Sequence, residues 1–346
     1  MNIAKNSARS DSTAAAFVVI VNYRTGALVV ECLASLAPEL PALHGGRVVV
    51  VDNASGDDSV ARIGAAIDAS GWGEWAEVIA LPRNGGFAYG NNRAIECVRE
   101  HDPAFGTIVC LNPDTTVRPG ALAALLGHLE AHADAGIVGA SIENEHGMRQ
   151  RTAHAFPSPL SELDGAAQLG VLSRLIRTRS IGELPSDAPY ACDWISGACF
   201  AVRKQVFDEI GLLDEGYFLY FEETDFCLRA KRAGWSCWYV PNARVVHFEG
   251  SSTGIRHPKR RRPAYWFASR RRFFAKAHGV AGLVAADLLW ALGRASFLLR
   301  RAIRLDGAKK YEPEPERFAL DLLIGDAKAV MSSDLRELGV VSESRP

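Results

Sequence analysis

Five places in the 346-residue sequence hold residue types that could do chemistry together. Phe218-Leu219-Tyr220-Phe221 runs into Glu222-Glu223-Thr224-Asp225, three acids in the first turn of a helix after an aromatic stretch. A helix dipole alone accommodates one or two such acids. Crowded like charges beside apolar rings also raise a carboxylate pKa, which is how a general base becomes useful near neutrality. Asn112-Pro113-Asp114 sets a carboxylate after a short apolar run, where it can hold a hard divalent ion against phosphate oxygens or simply form a type I turn. His247 closes the run Arg244-Val245-Val246 and precedes a small-residue loop, a place that suits a structural histidine or a metal ligand. Asp52, followed by Asn53, Ser55 and Gly56, can accept hydrogen bonds from a base or ribose, or make an Asx turn with the same atoms. Asn84-Gly85-Gly86-Phe87 and Gly90-Asn91-Asn92 allow a ligand close to the backbone and to the amides of a helix N-terminus. That loop is neither G-x-G-x-x-G nor G-x-x-x-x-G-K, so dinucleotide-binding and P-loop readings lose support.

The elements that must position these residues are legible in the hydrophobic pattern. Short apolar runs at Phe17 to Val21, Arg47 to Val51, Glu77 to Leu81, Thr107 to Leu111 and Gly136 to Ile142 read as strands. Helical spacing follows the first two, as in Leu28, Cys32, Leu36 and Val60, Ile63, Ile67, with Thr25 and Ser55 as expected helix caps. Alternation of this kind predicts an α/β fold with a mostly parallel sheet covered by helices on both faces. Ligands of such sheets bind beyond the carboxyl ends of the strands. Those ends are where Asn22-Tyr23, Asp52-Asn53, Asn84 to Gly86 and Asn112 to Asp114 fall.

The rest of the chain divides by composition. Residues 1–16 read as a frayed tail and 17–142 as the nucleotide-binding half. Residues 143–190 form an irregular connection that could serve as a lid, and 191–278 are a second ordered half carrying the acids. Residues 279–346 read as a helical extension. In the second half, Trp194 to Val202 and Trp235 to Val240 look strand-like, and Glu222 to Ala233 and Pro263 to His278 look helical. Nine Lys or Arg and no acid lie between Arg256 and Lys276, a solvated face or a source of cations for a bound phosphate. Val280 to Leu299 is interrupted by Asp287 and Arg294, which recur with Arg301 every seven residues, so it reads as amphipathic and not as a membrane span. It is expected either to lie in a membrane interface or to pack on the domain.

A formal net charge of -1 provides no field to recruit nucleic acid. Seven cysteines without a C-x-x-C pair, behind an N-terminus with no secretory signal, suggest thiols in a reducing compartment.

The ordered series Val19-Ile20-Val21-Asn22-Tyr23, Val51-Asp52-Asn53-Ala54-Ser55, Asn84-Gly85-Gly86-Phe87, Asn112-Pro113-Asp114, Trp194-Ile195-Ser196-Gly197-Ala198, Phe221-Glu222-Glu223-Thr224-Asp225 and His247 resembles the family-2 glycosyltransferases. Within them it looks most like the bacterial rhamnosyltransferase-like branch that builds cell-surface polysaccharide. The resemblance covers residues 17–278 and implies a GT-A fold, a helical C-terminal extension, a nucleoside-diphosphate sugar donor and a Mg2+ or Mn2+ ion. It implies that Asn22, Tyr23, Asp52, Asn84, Gly86 and Asn91 surround the nucleotide, and that Asp114 and His247 hold the metal. Asn112, Trp194 and Gly197 would shape the sugar and acceptor site, and Arg256 and Arg260 would meet the pyrophosphate. Glu223 would be the base of an inverting transfer, with Glu222 and Asp225 beside it. Two departures stand out: Asn112 replaces the first acid of the family's Asp-x-Asp motif, and Glu222-Glu223 replaces its Glu-Asp pair.

The branch implies deoxythymidine-diphosphate rhamnose as donor and a saccharide or lipid-linked saccharide as acceptor. The thiols and the missing signal suggest the cytoplasm, and residues 256–301 could make peripheral contact with the inner face of the plasma membrane. Two rival readings are a sugar-phosphate nucleotidyltransferase and a non-catalytic nucleotide-sugar-binding protein. The first normally needs a glycine-rich basic loop after the first strand, where this chain has Asn22-Tyr23-Arg24-Thr25-Gly26.

Overall fold

The computed structural model of the chain describes residues 14–169, 186–248, 260–303 and 314–332. Its centre is a nine-stranded sheet in the order β3-β2-β1-β4-β10-β6-β11-β5, with β8 pairing on β11. The strands are β1 (Ala16–Asn22), β2 (Val48–Asp52), β3 (Ala76–Ala80), β4 (Thr107–Leu111), β5 (Thr115–Val117), β6 (Ala135–Glu143), β8 (Tyr190–Cys192), β10 (Cys199–Arg203) and β11 (Ser236–His247). A separate ladder pairs β7 (Ala153–His154) with β9 (Trp194–Ile195).

Period-two alternation sorts the buried side chains onto two faces. In β1, Val18 and Ile20 join one core with α1 (Gly26–Leu36), α2 (Ser59–Ala69) and α4 (Ala121–Ala131). Phe17, Val19 and Val21 join the other with α3 (Gly86–His101), α6 (Lys204–Ile210) and α7 (Glu222–Arg232). Both faces are therefore covered, and β1 and β2 are apolar up to their terminal Asn22 and Asp52.

The mostly parallel arrangement holds for β3-β2-β1-β4, all parallel. Beyond it the sheet is mixed, because β10 inserts antiparallel between β4 and β6. The expected caps differ too. Thr25 occupies the cap position of α1 but makes no side-chain cap bond there. The cap position of α2 belongs to Asp58, while the Ser55 hydroxyl is occupied with Asp52. Part of the expected irregular connection is ordered: it contains β7 and α5 (Pro159–Ala167), whose N-terminus is closed by a Ser158–Ser161 capping box. Residues 170–185 lie outside the described residues.

The helix α8 (Ala264–Ala302) breaks at Gly279, whose φ of 72° and ψ of 175° are readily accessible only to glycine. Its two arms fold back on each other. Leu283 and Ala286 of the second arm meet Phe273 and Phe274 of the first, and Trp290 and Phe267 share a cluster with α9 (Phe318–Met331). Gly293 lets α5 approach closely, since a Cβ there would stand 2.6 Å from the Leu163 carbonyl oxygen.

Among the described residues, five cations of the basic run are held by acids of the protein, while Arg256 and Lys259 lie outside the described residues. Arg270, 1% exposed, is held by Glu162, Asp287 and Asp326. Arg261 pairs with Asp321, Arg271 with Asp326, Arg272 with Asp214, and Lys276 with Asp214 and Asp225. Asp287 and Arg294, expected on the solvent stripe of an amphipathic helix, instead pair with Arg270 and Glu314 on the flanks of the second arm.

Candidate active site

Parallel pairing of β1, β2 and β4 brings their carboxyl ends to one edge, with Asn22 opposite Asp52 and Ile20 opposite Leu111. Asn22 donates through Nδ2 to Asp52 Oδ1 at 2.6 Å. Asp52 also accepts from the Ser55 hydroxyl at 2.5 Å and, at its second oxygen, from the Ser55 amide at 2.9 Å. This is the Asx-turn geometry, and it fixes a fully buried carboxylate at the strand end. Tyr23 is half-buried beside this pair.

The glycine loop is tied on from two sides. Asn53 donates to Asn84 Oδ1 at 3.0 Å and to the Gly86 carbonyl at 2.9 Å, and Phe87 donates its amide to the Phe218 carbonyl at 2.8 Å. Gly86 has a φ of 89°, and a Cβ on it would stand 2.0 Å from Phe218 oxygen, so no other residue fits. Asn91 donates to the Phe87 carbonyl within its own helix, which makes it an internal brace of the loop. Asn92 and Asn53 were not singled out as site residues. Asn92 bonds the Leu213 backbone in both directions and so holds the segment leading to the acids. Their only signal in the sequence was membership of the two turn-rich motifs.

Antiparallel pairing of β5 with β11 sets His247 opposite Thr115. The imidazole Nε2 then lies 3.1 Å from Asp114 Oδ1 and 3.3 Å from the Asn112 side-chain amide. Among the described residues no three His, Cys, Asp or Glu side chains cluster as a metal site, so a cation here would use Asp114, His247 and the Asn112 amide. These groups fit one. The Nε2 atom cannot both donate to Asp114 and accept from an Asn112 NH2, whereas turning the amide brings three lone-pair atoms together. One carboxylate, one imidazole and one amide oxygen leave room for phosphate oxygens on a hard divalent ion.

The same edge reaches the acids through β10. Asn112 donates its amide to the Ala198 carbonyl at 2.9 Å. The neighbouring Gly197 lies against the Glu223 side chain: a Cβ on it would stand 3.7 Å from that carboxyl. Trp194, in the same segment, donates Nε1 to the Ala155 carbonyl and stacks on His154. Burial raises the Glu223 pKa to about 7, against the pull of the surrounding backbone amides. Glu222 is raised well above the usual carboxylate range by burial and by the charge of Glu223. Each acid keeps one buried oxygen without a partner. Tyr220 and Phe221 precede them with φ values of 71° and 69°, backbone strain costing on the order of 1–3 kcal/mol each for bulky residues.

Asp225 does not share this role. Its oxygens are taken by Arg229 at 2.9 Å, Tyr217 at 3.2 Å and Lys276 at 2.7 Å, so it anchors α7 to α8. Of the two arginines assigned to pyrophosphate, Arg256 lies outside the described residues and Arg260 is exposed at the start of the segment leading into α8.

Residues 14–273 match the family described as "Glycosyltransferase like family 2". The chain is 32% identical over 300 residues to the N-acetylglucosaminyl-diphospho-decaprenol L-rhamnosyltransferase of Mycobacterium tuberculosis, covering 82% of this chain and 90% of that one. It is 31% identical over 166 residues to the rhamnosyltransferase WbbL of Escherichia coli, covering 47% and 61%. Among solved structures, the fold is similar to the mannosyltransferase PcManGT of Pyrobaculum calidifontis in complex with GDP-Man and Mn2+. The TM-score is 0.53 at 15% identity, over 95% of this chain and 84% of that one. Staphylococcus aureus TarS is similar at a TM-score of 0.51 and 16% identity, over 94% and 50%. The strand-end site, the GT-A architecture and these matches together make the chain a member of glycosyltransferase family 2.

Proposed function

We propose that the chain is an inverting, divalent-metal-dependent rhamnosyltransferase acting on a lipid-linked saccharide in cell-surface polysaccharide synthesis. One observation carries this reading: Asp114, His247 and Asn112 converge, and the Asn112–Ala198 bond sets them beside Gly197 and the raised carboxyl of Glu223. The rhamnose donor and the lipid-linked acceptor are supported by the likeness to the mycobacterial N-acetylglucosaminyl-diphospho-decaprenol L-rhamnosyltransferase.

In this reading Asp52 and Asn22, with the Asn84–Gly86 loop, hold the nucleoside. Asp114, His247 and Asn112 would hold Mg2+ or Mn2+, which offsets charge on the diphosphate leaving group. Glu223 takes the proton of the acceptor hydroxyl as that oxygen forms its bond to the anomeric carbon and the bond to the diphosphate oxygen breaks. The backbone beside it, Gly197 included, pulls the Glu223 pKa down and so favours the ionised form this needs. Glu222, held protonated by its burial and its neighbour, keeps a second negative charge out of the site. All seven cysteines are free thiols, in keeping with a cytoplasmic site of action.

The test is transfer from deoxythymidine-diphosphate rhamnose to a polyprenyl-diphosphate N-acetylglucosamine, with and without Mn2+, reading the anomeric configuration of the product by NMR. Inversion with metal dependence is expected. A retained configuration, or equal rates in chelator, would overturn the mechanism. Pyrophosphate release from a nucleoside triphosphate and a sugar phosphate would instead point to a nucleotidyltransferase.

A further inference from the structure

The second arm of α8 turns an uncharged face to solvent. From Ala281 to Leu299 its exposed positions are Ala281, Val284, Leu288, Leu292, Ala295, Leu298 and Leu299. Leu288, Leu292 and Leu299 are 66%, 61% and 63% exposed. At 1.5 Å per residue the stripe is roughly 27 Å long. The opposite side, with Leu283, Ala286, Trp290, Gly293 and Phe297, is already buried. Asp287 and Arg294 are consumed in ion pairs on the flanks. The helix is therefore apolar both inward and outward, a pattern of elements surrounded on all sides by apolar material. Soluble monomers expose leucines singly, and a continuous stripe marks an interaction surface.

The charges at the end of the stripe decide what covers it. Leu298 and Leu299 are followed by Arg300, whose guanidinium donates to Ser296 Oγ and to the Ala167 carbonyl, and by Arg301, which is exposed. The outward stripe carries no acid with which a second copy of the chain could meet those cations. A leucine face ending in the exposed Arg301 matches an anionic lipid surface, with acyl chains under the leucines and a phosphate at that guanidinium. By length and composition α8 is apolar enough to cross a bilayer. Its hairpin at Gly279 and its packing against α5 hold it on the domain, so that the stripe meets lipid along its side.

We propose that this face, centred on Leu288, Leu292 and Leu299, seats the protein in the interface of an anionic bilayer. Arg270, Arg271, Arg272 and Lys276 of the basic run are instead held in ion pairs with acids of the protein. The proposal goes beyond the reaction proposed above, and only its purpose, delivery of a lipid-linked acceptor, rests on that reading.

The experiment is flotation of the full chain with phosphatidylglycerol-rich and with phosphatidylcholine vesicles. The wild-type chain should float with the first and less with the second. Leu288→Glu/Leu292→Glu should weaken vesicle binding by about tenfold or more at an unchanged melting temperature. Leu288→Ala/Leu292→Ala, which suits the helix, should show a smaller loss in the same direction. Wild-type chain that fails to float, or variants that float equally well, would overturn the proposal. So would a wild-type dimer in light scattering that the glutamate variant breaks without any flotation, which would give the face to a second copy. Transfer to a lipid-free acceptor analogue, assayed in parallel, separates the two readings. Vesicle binding without transfer sinks the reaction and leaves the docking face standing.

Discussion

The backbone amide of Asn112 donates to the carbonyl of Ala198 at 2.9 Å, and this bond joins the two halves of the site. On one side of it stand Asp114 and His247, on the other Gly197 and Glu223. The predictions follow from which groups that bond brings together.

Glu223→Gln removes a proton acceptor while keeping shape and hydrogen bonding. Turnover should fall by about 10²-fold or more, with nucleotide affinity nearly unchanged by calorimetry. An equal loss of nucleotide affinity would move Glu223 out of the base role.

The Glu223 carboxyl, raised from 4.5 to about 7 chiefly by burial, must be ionised to act. The rate should climb with pH through about 7 and level above it. Stability runs the other way. The folded chain keeps a proton that the unfolded chain releases above pH 4.5, so stability falls as pH rises from 4.5 to about 7. Glu223→Gln should therefore be more stable than wild type at pH 8, by on the order of 1–3 kcal/mol, and equal to it near pH 4. Chemical denaturation at the two pH values checks the sign.

His247→Ala and Asp114→Asn should each raise the Mn2+ concentration for half-maximal activity by at least tenfold, since even outer-shell partners of a metal site cost about 10–100-fold. An unchanged metal titration in both variants would remove the cation from this edge.

Gly86→Ala places a methyl group against Phe218 oxygen at a φ of 89°. The glycine loop and the segment leading to Glu222 must separate, so donor affinity should fall by roughly tenfold or more. Isothermal titration with the nucleoside diphosphate reads this directly.

Arg270→Ala leaves Glu162, Asp287 and Asp326 without their shared counter-ion. Removing one partner of a buried ionic network typically costs about 3–5 kcal/mol, which should lower the melting temperature by roughly 10 °C.

Local order along the chain determined a good deal. The apolar runs located the first four strands to within a residue or two, and the polar residues after them named the edge where a ligand would sit, because side-chain periodicity is a local property. The residue series from Asn22 to His247 also identified the family. Tertiary structure alone decided the rest. Nothing near Cys199 tells it to run antiparallel between β4 and β6, yet that placement delivers Gly197 to Asn112. Arg261, Arg270, Arg271 and Arg272 look like a free basic patch until Asp214, Asp287, Asp321 and Asp326 arrive beside them. Asp225 looks like a third acid of the site until Tyr217, Arg229 and Lys276 surround it. Strand order and charge partners are contacts between residues far apart in the chain, and their outcome depends on which surfaces the whole fold brings together.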